Sequence, residues 1–363
     1  MSIKKHGLPF NIFRVIIIFV LAVVLLLGGM IGFLSVTEYK PKDSETVEVT
    51  GESSNKVKLN EEISVLTFNI GYGALGDNAD FFMDGGKSVY TADETRVNEN
   101  LGGILTEVAK INPDIVLFQE IDKSSSRSYK INEYEMFKDK LAQYSFSFAN
   151  NFKVAYLPYP VPPIGKVDSG IATASVFGVT SAERVQLPIP FSWPMRMANL
   201  KRCVLISRIP IENSQKELVI INLHLEAYDS GEGKIEQTKM LSSLLKKEVE
   251  KGNYVIAGGD FNQIFSTADK NAYSVKDGMW APGEIDTSAF GGGFEFLMDE
   301  STPSCRSLDK AYKGADKDNF QYYLIDGFIV SDNIDVKQLK TQDLGFKNSD
   351  HNPVLLNAVL KGE

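Results

Sequence analysis

Asp350 and His351 stand side by side in "NSDHNPVLL", in a chain with three histidines in all. The other two are His6, close to the N-terminus, and His224 in "NLHLEA". Asp260 and Asn262 follow two glycines in "AGGDFN", and Asp326 interrupts "YYLIDGFIV". Gln119 and Glu120 end "DIVLFQE", and Asn69 comes near the end of "ISVLTFNI". Each has an ordinary explanation when taken singly. An Asp or Asn after a strand is commonly a turn residue, and a histidine among leucines is commonly a hydrogen-bonded core residue. As a set they are carboxylates, amides and two histidines, which suits a divalent metal acting on a phosphate ester. Hard oxygen ligands hold Mg2+, a bound cation polarises a phosphoryl oxygen, and histidine and aspartate handle the proton transfers. Water is the expected nucleophile, because no serine elbow or P-loop is present and the cysteines have no obvious partner.

These residues share a position: the ends of predicted strands, where α/β sheets form their ligand crevices. Buried strands are predicted at "ISVLTFNI", "DIVLFQE", "RCVLISRI", "ELVIINLHL", "YVIAGGD", "YYLIDGFIV" and "PVLLNAVL". The glycines before Asp260 are expected to turn the backbone tightly and bring the carboxylate to a surface. Helical spacing of Leu101, Ile104, Leu105 and Val108 predicts a helix over 96–110. Leu241, Leu244, Leu245 and Val249 predict another over 234–252, ended by Gly252. Residues 264–321 carry Trp280, Phe290, Phe294 and Phe296 around a triple glycine, and are expected to form an ordered irregular loop over the crevice.

The stretch "VIIIFVLAVVLLLGGMIGFLSV" (15–36) is apolar, without a charge and long enough to cross a bilayer once. Lys4, Lys5 and Arg14 precede it and an acidic segment follows, so residues 1–14 are expected inside and the rest outside the cell. A cleaved signal peptide competes with this reading. The run is long for a signal core and lacks an A-x-A-like site, which favours an uncleaved anchor. Residues 37–60 read as a polar tether and 61–363 as the catalytic domain. The net charge of -9 disfavours holding nucleic acid by bulk electrostatics. Cys203 and Cys305 are expected to be unpaired, buried thiols.

The order "LTFNIG", "DIVLFQEID", "NLHLEAY", "GGDFN", "IDGFIV" and "SDHNPV" resembles the endonuclease/exonuclease/phosphatase superfamily over roughly 63–360. The resemblance implies a four-layer α/β sandwich, two mixed sheets flanked by helices, here preceded by one transmembrane helix. It implies Mg2+, or Mn2+ in its place, with Asn69, Glu120 and Asp350 at the metal. It gives catalytic roles to His224, Asp260, Asn262, Asp326, Asp350 and His351: Asp260 orients the nucleophile, Asn262 steadies the phosphate, and Asp350 orients His351 or touches metal. The implied activity is metal-assisted attack of water on a phosphodiester, of nucleic acid or of a phospholipid head group. The alternatives are a phosphomonoesterase of inositol- or sugar-phosphate type and a non-catalytic anchored binding module. No stable protein partner is implied. The family's middle motif has no sure counterpart among Tyr156, Asp168 and Ser169. Arg196, Lys201 and Arg202 are a candidate phosphate-binding patch.

Overall fold

The computed structural model describes residues 8–51, 53–229 and 231–362; His6, Lys4 and Lys5 lie outside them. A helix, α1 (Leu8–Thr37), precedes the rest; its Ile12–Thr37 part has mean hydropathy 3.1 and is long and apolar enough to cross a membrane. Two seven-stranded mixed sheets follow. The first runs Ser44–Val47, Ser181–Gln186, Cys203–Pro210, Glu217–His224, Tyr254–Asp260, Asp326–Ser331, Phe294–Leu297. The second runs Ile334–Thr341, Val354–Leu360, Glu62–Asn69, Ile115–Asp122, Gly165–Ser175, Ser145–Leu157, Val49–Thr50.

The strand sequences explain the layering. Side chains alternate between faces with period two, and a strand covered on both faces reads as a continuous apolar run. Val65, Leu117 and Leu356 of the second sheet meet Ile220, Ile256 and Phe328 of the first, forming the core between the sheets. Their neighbours Leu66, Phe68, Val116 and Phe118 point the other way, onto Val97, Leu101 and Ile104 of α2 (Glu94–Ile111) and Phe137 of α3 (Glu133–Lys140). Val219, Ile221, Val255 and Ala257 likewise meet Leu241 and Leu245 of α4 (Glu232–Glu250). This is the expected four-layer sandwich. Asp93 caps α2 by accepting from the Arg96 N–H, and Asn112, left-handed at φ 50°, ends it before Pro113.

Three expectations are corrected. Residues 37–60 are not a free tether: Ser44–Val47 pairs with 182–185 and Val49–Thr50 with 146–147, so the segment supplies an edge strand to each sheet. Val57 is fully buried and bridges Ile211. The composition is polar because an edge strand keeps one side in water. Residues 264–321 are not one irregular loop, since Gln263–Phe265 pairs with Gly283–Ile285 and Phe294–Leu297 joins the first sheet. Phe294 and Phe296 pack beside Phe290 in the core under α4, away from the crevice. Finally, "AGGD" makes no turn. Gly258 and Gly259 lie within a strand, and Gly259, at φ 150°, would set a Cβ 2.0 Å from the Leu223 carbonyl oxygen. Glycine is required there by close approach of the neighbouring strand.

Candidate active site

Strand direction gathers the polar residues at one end of the sandwich. Tyr254–Asp260 runs parallel to Glu217–His224, so Asp260 lies level with His224. It runs antiparallel to Asp326–Ser331, so Asp260 also lies level with Asp326, which begins its strand instead of interrupting one. In the second sheet Asn69 is level with Gln119 on a parallel neighbour. The adjacent Val354–Leu360 strand is antiparallel, which leaves Asp350 and His351 on the same edge. Behind this edge Gln119 Nε2 donates to Asn222 Oδ1 at 2.8 Å and joins the two sheets.

Local backbone geometry aims the side chains. Glu120 has φ 54° and sits where the pairing with 165–175 slips between Phe118 and Ile121, a bulge that redirects its carboxylate. Asn262 has φ 52°, and its backbone N–H donates to Asp260 Oδ1 at 2.8 Å. Left-handed conformations of this kind are strained for residues other than glycine and collect at functional sites.

Asp260 is the hub. Its Oδ2 accepts from Asn69 Nδ2 at 3.0 Å and lies 3.4 Å from His224 Nε2 and 3.8 Å from His351 Nε2. Asn69 Nδ2 also donates to Glu120 Oε1 at 3.2 Å, while Asn69 Oδ1 accepts from the Gly71 N–H. Asn69 thus turns its amide nitrogen to the carboxylates, a contact different from the metal ligation expected of it. Asn262 Nδ2 donates to the Leu225 carbonyl, which ties the loop after Asp260 to the one after His224. His351 Nδ1 donates to Asp326 Oδ2 at 2.8 Å. The expectation that Asp350 orients His351 is therefore corrected: Asp326, 25 residues away in sequence, does so. Asp350 instead has Ser349 Oγ, 3.4 Å from its Oδ1, as a neighbour, and Ser349 Oγ donates to the Asn69 carbonyl at 2.8 Å.

The charges are set by burial and by each other. Burial pushes the Asp260 carboxyl up to about 7, assisted by repulsion from Asp326. Burial pulls His351 down, but the charge and hydrogen bond of Asp326, together with Cys305 and Asp350, hold the imidazole well above its usual range. His224 is driven well below its usual range by burial and then by Arg202 and His351. The two histidines are thus pushed apart, one cationic and one neutral. Asp350 rises to about 6, mainly through burial, with Glu120 adding repulsion. Two mutually repelling carboxylates in a buried crevice are a donor set that a hard divalent cation fits. Among the described residues, Asp326 Oδ1 and His224 Nδ1 are buried without a hydrogen-bond partner.

Several contacts carried no sequence signal. Arg127 stacks 3.6 Å from the Tyr72 ring centroid and grips Asp122 through two hydrogen bonds, with Ser169 Oγ at 3.2 Å. Tyr228 donates to Asp84 at 3.0 Å across the crevice. Of the middle-motif candidates, Ser169 lines the crevice, Asp168 binds Asn150, and Tyr156 is partly exposed. Arg196, Lys201 and Arg202 are not an open basic patch: Arg202 is buried against Glu226, and the other two pair with Glu38. Cys203 and Cys305 are both free and buried; burial pushes the Cys305 thiol up to about 12, which removes it as a nucleophile. Trp280 lines the crevice as expected.

The sequence profile of the Endonuclease/Exonuclease/phosphatase family matches residues 66–351, most of the chain. The chain belongs to that family. The family's members are phosphoesterase hydrolases that generally use divalent metal ions, and the acidic and histidine cluster here agrees. No curated protein sequence matches. Among solved structures, an endonuclease/exonuclease/phosphatase from Beutenbergia cavernae is similar with a TM-score of 0.57 and 16% identity, over 84% of this chain and 72% of that one. A family protein from Bacteroides thetaiotaomicron gives 0.52 at 16% identity, over 83% of this chain and 96% of that one. The catalytic domain of human nocturnin gives 0.51 at 15% identity, over 87% and 97%. At such identities the likeness concerns the fold.

Proposed function

We propose that the chain is a Mg2+-dependent phosphodiesterase held at the membrane by α1, with its catalytic domain outside the cell. The observation that carries the catalytic part is Asp260 Oδ2 lying 3.4 Å from one histidine and 3.8 Å from another, the second bonded to Asp326. The anchor rests on the apolar span and on the basic residues before it and acidic ones after. Glu120 and Asp350 would hold the metal, which when bound polarises a phosphoryl oxygen and neutralises its charge. Asp260, titrating close to neutrality, orients the attacking water and accepts its proton. His351, kept cationic by Asp326, binds the phosphate and donates to the leaving oxygen. His224 contacts the phosphate as a neutral imidazole.

The full chain in detergent should hydrolyse bis-p-nitrophenyl phosphate with Mg2+, lose the activity on chelation and regain it when Mg2+ is restored. Asp260→Asn should lower kcat on the order of 10^3-fold without unfolding the protein. Turnover of p-nitrophenyl phosphate but not of the diester would make it a monoesterase. Hydrolysis of neither, with the fold intact and no heat of Mg2+ binding by calorimetry, would make it a binding module.

A further inference from the structure

The end of α1 is built into the wall of the catalytic cavity. Leu34 is 7% exposed and packs with Val154 and Met197. Ser35 Oγ donates to Met197 Sδ at 3.0 Å. The Glu38 side chain, 3% exposed, pairs with Arg196 at 3.0 Å and Lys201 at 3.6 Å. These contacts hold the membrane exit against the domain at one defined place. From there a cavity of about 760 Å³ runs without interruption from Ile31 and Leu34 to Glu120, Asp260, Asp350 and His351. Its outer part is apolar, lined by Phe82, Met83, Leu157, Tyr159, Phe191 and Met195.

The depth of that outer part follows from helix geometry. Ile31 and Leu34 precede Val36, the last apolar residue of the span, by five and two residues. At the α-helical rise they lie about 8 and about 3 Å inside the end of the span. The side chains packed on them therefore sit at the level of the lipid head groups and first methylenes. The loops that carry the cavity-lining Tyr159 and Met195 are suited to it: Tyr159 is 68% exposed and Met195 65%, and their chain neighbours Val161 and Trp193 are 93% and 56% exposed. Exposed aromatic and aliphatic side chains at that level are the belt that seats proteins in a bilayer interface.

We propose that the substrate is a phospholipid of the bilayer that α1 crosses, entering sideways from the leaflet beside Leu34. Its phosphodiester lies at Asp260, His224 and His351, and its apolar part lies along the outer cavity. This rests on the phosphodiesterase reading above and narrows it. A polynucleotide needs a cationic track, and the arginines of this cavity are already engaged: Arg127 by Asp122, Arg202 by Glu226, Arg306 by the Gly76 and Ser307 carbonyls. In the reaction the water oxygen bonds to phosphorus, one P–O ester bond breaks, and the freed oxygen leaves as an alcohol with a proton. A phosphomonoester remains.

The test uses the full chain reconstituted with Mg2+ in vesicles of phosphatidylglycerol, phosphatidylethanolamine and sphingomyelin, followed by phosphorus NMR. A diester signal of at least one lipid should convert into a monoester signal. Val161→Ser combined with Trp193→Ser should slow that conversion about ten-fold or more, because both side chains seat the rim in the interface. Turnover of bis-p-nitrophenyl phosphate by the same variant should stay within about two-fold, since neither residue lines the catalytic end. Intact lipids beside active hydrolysis of the chromogenic diester would overturn the lipid assignment, as would faster hydrolysis of single-stranded DNA. Equal lipid turnover by the variant would overturn entry through the rim. Failure on every diester would remove the phosphodiesterase reading itself.

Discussion

Asp326 illustrates how much a single carboxylate can decide. It repels Asp260, bonds His351, and keeps that imidazole protonated, so it acts on two partners at once. Asp326→Asn preserves the shape of the contact and removes its charge. The expected result is a fall in kcat on the order of 10^2- to 10^4-fold with KM changed little, as when a histidine loses its orienting carboxylate. Steady-state kinetics on bis-p-nitrophenyl phosphate measure it, and circular dichroism checks that the fold survives. An unchanged kcat would remove Asp326 from the catalytic set. The sequence marked Asp326 as one of several polar residues near strand ends. It did not mark Asp326 as the partner of His351, because Asp350 is adjacent in the chain and Asp326 becomes adjacent only through sheet pairing.

Elements carry two further expectations. Gly259 sits where the strands 217–224 and 254–260 approach too closely for a side chain. Gly259→Ala forces the backbones apart beside Asp260 and should destabilise the protein by about 1–3 kcal/mol. It should lower activity as well; thermal unfolding and turnover on one preparation report both. On the far side of the same sheet, Arg208 binds Glu248 through Nη1 and Nη2, and so ties the 203–210 strand to α4. Burial would raise the Glu248 carboxyl, but Arg208, Lys251 and Asn253 outweigh it and bring it down to about 2 from 4.5. A depressed carboxyl contributes its stability in full above the unfolded value of 4.5 and loses it as pH falls toward 2. Allowing for the partial exposure of Arg208, the contribution is roughly 1–3 kcal/mol. Melting temperatures of the wild type and Glu248→Gln should therefore differ most above about pH 4.5 and converge only as pH falls to about 2. A gap that stays constant with pH would show that the ion pair contributes nothing.

At the scale of the molecule, the folded unit begins earlier than composition suggests. A chain starting at Asp43 keeps both edge strands and the buried Val57, and one starting at Glu61 loses them. The shorter chain should melt about 5–10 °C lower, reflecting a few kcal/mol of lost burial and pairing. Equal melting temperatures would return the segment to the status of a tether. The sequence by itself determined the apolar helix, the double-sided strands that require a layered sandwich, and the polar residues at strand ends, since local periodicity records burial directly. It also supplied the motif order that marks the family. Only the tertiary structure decided which carboxylate orients which histidine, that Arg127 stacks on Tyr72, that Asn69 ties two carboxylates together, and that the end of α1 lines the same cavity as those residues. Those relations depend on strand order, direction and register. These are properties of the assembled sheets, and residues far apart in the chain leave no local trace of them.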